Sequence, residues 1–144
     1  TEAVVRELHA KFLTREDLTM VAFLKDGGDV ALCTGLHRMD WDLRIFEIGY
    51  WTRTSLSGNG YATESTNALI RYAFKALSAS KVVVAHAGGN EASARVIEKL
   101  GFEREGLFRK DKRLPDGTVT DHYWYARFNT EGLPKIGVQW LKHE

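Results

Sequence analysis

Cysteine is nearly absent from this sequence, and its scarcity excludes two kinds of structure. Cys33 is the only cysteine in the chain, so neither an internal disulfide framework nor a cysteine-built metal site can form. The five histidines, at positions 9, 37, 86, 122 and 143, do not follow metal-ligand spacing, and no metal is predicted. The expected setting is a reducing one, the cytoplasm.

The sequence also lacks a long apolar run and a surplus of one charge. No stretch reaches the length of a membrane span, and no signal-peptide pattern is present, so a soluble chain without a membrane partner is expected. Twenty basic residues face nineteen acidic ones, which disfavours nucleic-acid binding. The 144 residues, of which 44% are apolar, predict one domain with a packed core.

Hydrophobic periodicity predicts three helices and six strands. Helices are expected over residues 1–13, 61–77 and from the N-cap Asn90 to Gly101, which suits a helix stop. Strands are expected over residues 19–25, 30–37, 44–52, 81–86, 102–114 and 119–128. The unit over residues 44–86 requires one parallel pairing in a mostly antiparallel sheet. The tail from residue 129 stays unassigned, although Val138 and Trp140 suggest that it docks.

A glycine-rich turn leads directly into the second predicted helix. Free backbone N–H groups at a helix N-terminus, together with the helix dipole, suit a phosphate, and glycine lets the backbone approach it closely. An ordinary strand-to-helix turn is the simpler alternative. The residues of this predicted anion site are Ser57, Gly58, Asn59, Gly60, Tyr61 and Ala62.

Three segments in this order, at residues 47–51, 58–64 and 90–102, resemble the GNAT family of N-acetyltransferases. The chain is most similar to the RimJ/RimL branch, which acetylates the N-termini of ribosomal proteins. The resemblance covers residues 1 to about 128. It implies an α+β fold of three layers (αβα), in which a mixed, mostly antiparallel sheet has helices on both faces and two parallel strands splay apart.

The resemblance further implies that acetyl-CoA, as co-substrate, lies between the splayed strands. Its pyrophosphate would occupy the glycine-rich turn, and Asn90 would contact the pantetheine arm. Ser57 and Asn59 stand where the family usually has cationic or amide side chains, and the family's first strand has no counterpart here. The two side-chain differences predict weaker cofactor binding, and the missing strand leaves one edge of the sheet and part of the acceptor wall unaccounted for. Backbone groups expected to pair with the pantetheine arm belong to Ile48, Gly49, Tyr50 and Trp51.

Acetyl transfer to an amine needs a proton acceptor and benefits from a proton donor for the leaving thiolate. Glu47, between two apolar residues on a strand, is the candidate base, and a surface carboxylate paired with Arg44 or Lys25 is the alternative. Asp111 is a second candidate base. The resemblance places Ser93 near the sulfur as the candidate acid, and a helix-turn serine is the alternative. A backbone N–H near residues 48–50 would polarise the thioester oxygen.

The acceptor is the least constrained part of the prediction. The resemblance places a loop with His37, Asp40 and Trp41 beside the acceptor, and a loop with one aromatic anchor is the alternative. A protein N-terminal α-amine is the first expectation, and a small amine is the second. A non-catalytic acyl-CoA-binding module remains a third, and a homodimer is among the partners considered. The basic run over residues 109–113 is interpreted as a solvated strand edge.

Overall fold

The computed structural model describes residues 1–139, which form three α-helices and one six-stranded sheet. None of the helices in this part of the chain is long and apolar enough to cross a membrane. A short 3-10 turn over Thr54–Leu56 precedes the second helix. In chain order the elements are α1 (Glu2–Thr14), β1 (Leu18–Phe23), β2 (Val30–Asp40), β3 (Ile45–Thr52), α2 (Tyr61–Ala76), β4 (Lys81–Ala87), α3 (Glu91–Lys99), β5 (Glu103–Arg113) and β6 (Val119–Arg127).

The strands are ordered β1-β2-β3-β4-β6-β5, and every neighbouring pair is antiparallel except β3 and β4. This arrangement confirms the predicted α+β class with a mixed, mostly antiparallel sheet. The parallel pairing contains three residue pairs and ends at Glu47 and Val83. Beyond these pairs, β3 continues to Thr52 and β4 to Ala87, but the two strands no longer pair with each other. A gap therefore opens between them.

The hydrophobic core lies between the sheet and the helices α2 and α3. Alternate residues of each strand point to one face, so the apolar positions of β3 and β4 face these helices while Glu47 points to the other side. Complete burial of each large apolar side chain contributes about 1.5–3 kcal/mol. The largest fully buried apolar side chains are Phe46, Leu32, Leu36, Ile48, Ile70, Ile97, Leu100, Val82 and Val84.

The helix ends follow the predicted capping residues. The side-chain oxygen of Asn90 accepts a hydrogen bond from the Ser93 amide at 3.1 Å, which caps α3. Gly101 follows α3 with a φ of +63°, the left-handed conformation that glycine adopts readily. In α1, by contrast, no residue is buried. Thus α3 is fixed from both ends, whereas α1 lies on the surface.

The tail beyond β6 packs against α2. The Asn67 side chain, 1% exposed, donates a hydrogen bond to the Pro134 carbonyl at 2.8 Å, and Arg71 donates to the same oxygen at 3.0 Å. Leu133 is buried in the same core. The tail therefore docks, as its apolar residues suggest, although Trp140 itself lies outside the described residues.

Arg127 fixes the start of this tail. Its guanidinium donates hydrogen bonds to the carbonyl oxygens of Leu100 and Glu131, and to that of Asn129 at 3.2 Å. Burial lowers the pKa of Arg127 from its usual value, while the charge of Glu103 opposes that shift. The five donors of a guanidinium match this set of carbonyls, which ties the end of α3 to the tail.

Candidate active site

A cleft of about 560 Å³ occupies the gap between β3 and β4. The second half of β3 lines one side, and the end of β4 with the first turns of α3 lines the other. The loop before α2 closes one end. Except for Asn59, every residue predicted to bind the cofactor lines this cleft, and so do the two predicted catalytic residues, Glu47 and Ser93.

The N-terminus of α2 faces the cleft without a side-chain cap. Gly58 and Gly60 have φ values of +81° and +82°, and Gly60 occupies the N-cap position. The N–H groups of residues 61–63 have no acceptor within the helix, because its first internal bond runs from the Glu64 amide to the Gly60 carbonyl at 2.9 Å. These donors and the helix dipole can hold an anion.

Asn59 shapes this turn rather than facing the cleft. Its side-chain amide donates to the Leu56 carbonyl at 2.9 Å, which closes the turn after the 3-10 segment. A Cβ added at Gly58 or Gly60 would meet nothing within 4 Å, so glycine serves the backbone conformation there rather than relieving a clash.

Two hydroxyl groups meet in the middle of the cleft. The Tyr50 phenol on β3 and the Ser93 hydroxyl on α3 are 2.8 Å apart, and Ser93 is 8% exposed. Burial raises the pKa of Tyr50, and the hydrogen bond with Ser93 opposes that rise only partly. The phenol therefore remains protonated at neutral pH, and the pair can supply a proton to a group in the cleft. Sequence analysis considered each residue separately and missed the contact.

Glu47 lies where the parallel pairing ends. Its side chain is 19% exposed, and Oε2 is buried without a hydrogen bond. The nearest cation is Arg38, whose Nη1 is 3.4 Å from that oxygen, rather than the Arg44 or Lys25 considered from the sequence. A carboxylate oxygen that receives no hydrogen bond and lies at the edge of a cleft can accept a proton, as a general base does.

His37 pairs across the strands with Glu47 but does not line the cleft. Its Nδ1 is 2.7 Å from Asp17 Oδ2. The ring lies against bare backbone, because a Cβ on Gly49 would come within 2.9 Å of it and one on Gly35 within 3.1 Å. Gly49 therefore makes room for the imidazole, and Gly35 does so for the backbone of β1 as well, since a Cβ there would collide with the Leu18 carbonyl oxygen. The imidazole occupies the same face of the sheet as Glu47.

Asp40 and Trp41 serve the packing of their own loop. The Asp40 carboxylate accepts a hydrogen bond from the Leu43 amide at 2.8 Å. The Trp41 indole donates to the Arg15 carbonyl at 2.8 Å and packs edge-on against Phe46 with centroids 5.1 Å apart. Both residues line a shallow depression that shares only Arg38 with the described lining of the cleft. The structure therefore does not bring them together with Glu47.

Sequence analysis also missed most of the charged lining. On the face of Glu47, Arg38, Lys112 and His122 line the cleft, while Arg95 and Lys99 line it from α3. Glu47 is the only carboxylate residue in the described lining. Asp111, the second candidate base, lies 3.4 Å from His122 and outside the lining. No three His, Cys, Asp or Glu residues among positions 1–139 are arranged to hold a metal ion.

His86, at the end of β4, is a further lining residue. Its Nδ1 lies 2.9 Å from the Ala87 carbonyl, which can only accept, so the ring proton belongs on Nδ1. Nε2 lies 3.2 Å from the Tyr125 phenol oxygen. The ring stacks on Tyr123 with centroids 5.0 Å apart. These contacts fix the imidazole in one orientation, and its place in a continuous apolar strand gave no signal in the sequence.

Comparisons with known proteins agree with this geometry. The model of the acetyltransferase (GNAT) domain matches residues 1–103. "Putative ribosomal N-acetyltransferase YdaF" of Bacillus subtilis is 37% identical over 105 residues, which are 72% of this chain and 57% of that protein. The chain spans about half the length of the curated relatives it matches.

Two solved structures share the fold at lower identity. RimL, a ribosomal L7/L12 α-N-protein acetyltransferase in complex with coenzyme A, is 21% identical with a TM-score of 0.81, over 89% of this chain and 71% of that one. A spermidine N-acetyltransferase of Vibrio cholerae is 19% identical with a TM-score of 0.78, over 89% and 75%. With the family match and the splayed strands, these findings show that the chain belongs to the GNAT acetyltransferase family.

Proposed function

We propose that this protein is an N-acetyltransferase that moves the acetyl group of acetyl-CoA to a primary amine, most simply a protein N-terminal α-amine. One observation carries the proposal: a single cleft brings together an uncapped helix N-terminus, the Tyr50–Ser93 pair and the carboxylate of Glu47. These are an anion site, a proton donor and a proton acceptor, which are the groups that the reaction requires.

Acetyl-CoA fits the two walls of the cleft. Its pyrophosphate would accept hydrogen bonds from the first turn of α2, and Arg95 and Lys99 add positive charge from α3. Its pantetheine amides would pair with the edge of β3 that β4 leaves free beyond Glu47. The complex of RimL with coenzyme A supports this class of ligand.

In the proposed reaction the neutral amine nitrogen attacks the thioester carbonyl carbon. A carbon–nitrogen bond forms, the carbon–sulfur bond breaks, and the amide and a thiolate are the products. Glu47 takes the proton that the nitrogen loses, directly or through water. Ser93 donates its hydroxyl proton to the thiolate and regains one from Tyr50, whose phenol lies 2.8 Å away. When the products leave, Tyr50 regains a proton from solvent and Glu47 releases its proton to solvent.

The acceptor class has support from two directions. YdaF and RimL carry names of ribosomal acetyltransferases, which favours a protein N-terminus. The fold shared with a spermidine N-acetyltransferase keeps a small amine as the second candidate. A non-catalytic module is disfavoured, because such a module has no need for a buried carboxylate oxygen and a hydroxyl pair in the same cleft. A homodimer and a cytoplasmic location stay predictions.

A thiol-release assay with acetyl-CoA tests the proposal on a panel of N-terminal peptides and small amines, alongside calorimetric binding of acetyl-CoA. Turnover on peptides is expected. Binding without turnover on any amine would instead support the non-catalytic module, and failure to bind would refute the anion site.

Glu47→Gln tests the base. Because glutamine keeps the shape but accepts no proton, kcat should fall by about 10²–10⁴-fold and lose its dependence on the ionisation of a carboxyl group. Asp40→Asn is the matched control, since Asp40 lies outside the cleft. An unchanged rate and pH profile in Glu47→Gln would remove this residue as the base.

A further inference from the structure

Two cationic side chains line the cleft on the face of the sheet that carries Glu47. These are Arg38 and Lys112, and Glu47 is the only carboxylate residue among the described residues of the lining. Arg38 is 3.4 Å from Glu47 and lies over the Trp124 ring, 5.7 Å from its centroid. The side chain of Arg38 is still 70% exposed, so its guanidinium can reach a ligand that enters from this face.

The strand registers place these groups on one face. His37 pairs with Glu47, Val83 and Glu47 are the last parallel pair, and Val83 pairs with Ala126. Residues at even positions of β6 therefore point to this face, and they include Thr120, His122 and Trp124. Lys112 is the partner of Thr120 and shares that face.

The positive charge continues along β5 beyond the cleft. Arg109, Lys110 and Arg113 are exposed on this strand, which forms one edge of the sheet. Asp111 is directed to His122 and Asp121 accepts from the Lys110 amide, whereas no carboxylate of the described chain pairs with Arg109 or Lys112. Three more carboxylates belong to this hairpin: Asp116 accepts from the Thr118 amide in the turn, Glu105 pairs with Lys81, and Glu103 begins β5.

We propose that the acceptor is a polypeptide N-terminus followed closely by Asp or Glu residues, whose carboxylates lie beside Lys112 and Arg38. This inference rests on the proposed function and narrows its substrate class. A polyamine is repelled by the same cations, because like charges brought together oppose binding.

Peptides of one length with an N-terminal alanine provide the test. Their next four residues are acidic, neutral amides or lysines, and spermidine is the fourth substrate. The acidic peptide should exceed the neutral one in kcat/KM by about tenfold at low salt, and the advantage should shrink as salt screens the charges. Lys112→Glu should reduce this preference by about fivefold. Lys25→Glu, the same charge change on the exposed turn after β1, should leave it unchanged.

The outcomes separate this inference from the proposed function. Equal rates on acidic and neutral peptides, or faster turnover of the lysine peptide or of spermidine, would overturn the acidic acceptor and leave the acetyltransferase in place. Turnover of no amine despite binding of acetyl-CoA would overturn both. A preference for acidic peptides that survives the charge reversal at Lys112 would show that other residues select the acceptor, which also overturns the assignment to Lys112.

Discussion

Removing the phenol of Tyr50 should slow the reaction without disturbing the cleft. Tyr50→Phe keeps the aromatic ring and deletes the oxygen that lies 2.8 Å from the Ser93 hydroxyl. Ser93→Ala deletes the other oxygen, and the double variant deletes both. Because α3 is capped by Asn90 through the Ser93 backbone amide, neither substitution removes the cap.

The expected losses in kcat follow from the order in which Tyr50 and Ser93 pass on a proton. A general acid contributes about 10²–10⁴-fold, which is the upper limit for Ser93→Ala. If Tyr50 acts only by returning a proton to Ser93, Tyr50→Phe should cost less, about tenfold in kcat. The double variant should then be no slower than Ser93→Ala, because the phenol has no route to the sulfur without the serine. Stability should fall by about 1–3 kcal/mol in Tyr50→Phe, since the Ser93 hydroxyl stays buried without its partner.

Steady-state thiol release separates kcat from KM for the three variants, and thermal unfolding reports their stability. Tyr123→Phe is the control, because it deletes a phenol from a residue outside the cleft lining. Unchanged kcat in Ser93→Ala would refute the serine as the acid. Fully additive losses in the double variant would refute the relay, because independent groups add their free energies.

Two further substitutions test the anion site at the start of α2 and the hydrogen-bonded pair of Asp17 and His37. Gly60→Ala should destabilise the fold by about 1–2 kcal/mol, because the φ of Gly60 is +82°, and it should weaken acetyl-CoA binding in calorimetry. Gly117→Ala is the control: its φ is +88° in the turn between β5 and β6, so it should lower stability without weakening binding. Burial would raise the pKa of Asp17, but hydrogen bonds from Thr19 and His37 outweigh it and lower that pKa. Its carboxylate therefore stabilises the fold above the unfolded-state pKa of about 4. Asp17→Asn should lower Tm at neutral pH, and the difference from the parent should shrink as pH falls through the lowered pKa; a pH-independent difference would contradict this.

Sequence reasoning identified features that depend on local chemistry. Asn90 and Gly101 predicted the ends of α3, because capping involves only neighbouring backbone groups. Gly58 and Gly60 predicted the uncapped start of α2, because the conformation of a turn is also local. The parallel pairing of β3 and β4 followed from the strand–helix–strand order, since a crossover through α2 leaves no other simple connection.

Features that depend on distant pairings were beyond it. Tyr50 and Ser93 are 43 positions apart, and their contact exists only because β3 and α3 face each other across the gap. Lys112 enters the cleft through the order β4-β6-β5, which no residue pattern specifies. Trp41 is the opposite case: an aromatic residue in a loop suggests a binding wall, and the structure adds that its ring packs on Phe46.

The short pairing between β3 and β4 is the weakest backbone connection within this sheet. Strands β1 to β3 form one antiparallel group and strands β4 to β6 another, and three residue pairs of β3 and β4 join the two groups within the sheet. A ligand whose amides bond to β3 while its phosphates are held at α2 and its thioester end meets α3 would act as a seventh, non-peptide strand. Binding of this ligand would then link the two groups of strands, so it would also stabilise the fold against their separation.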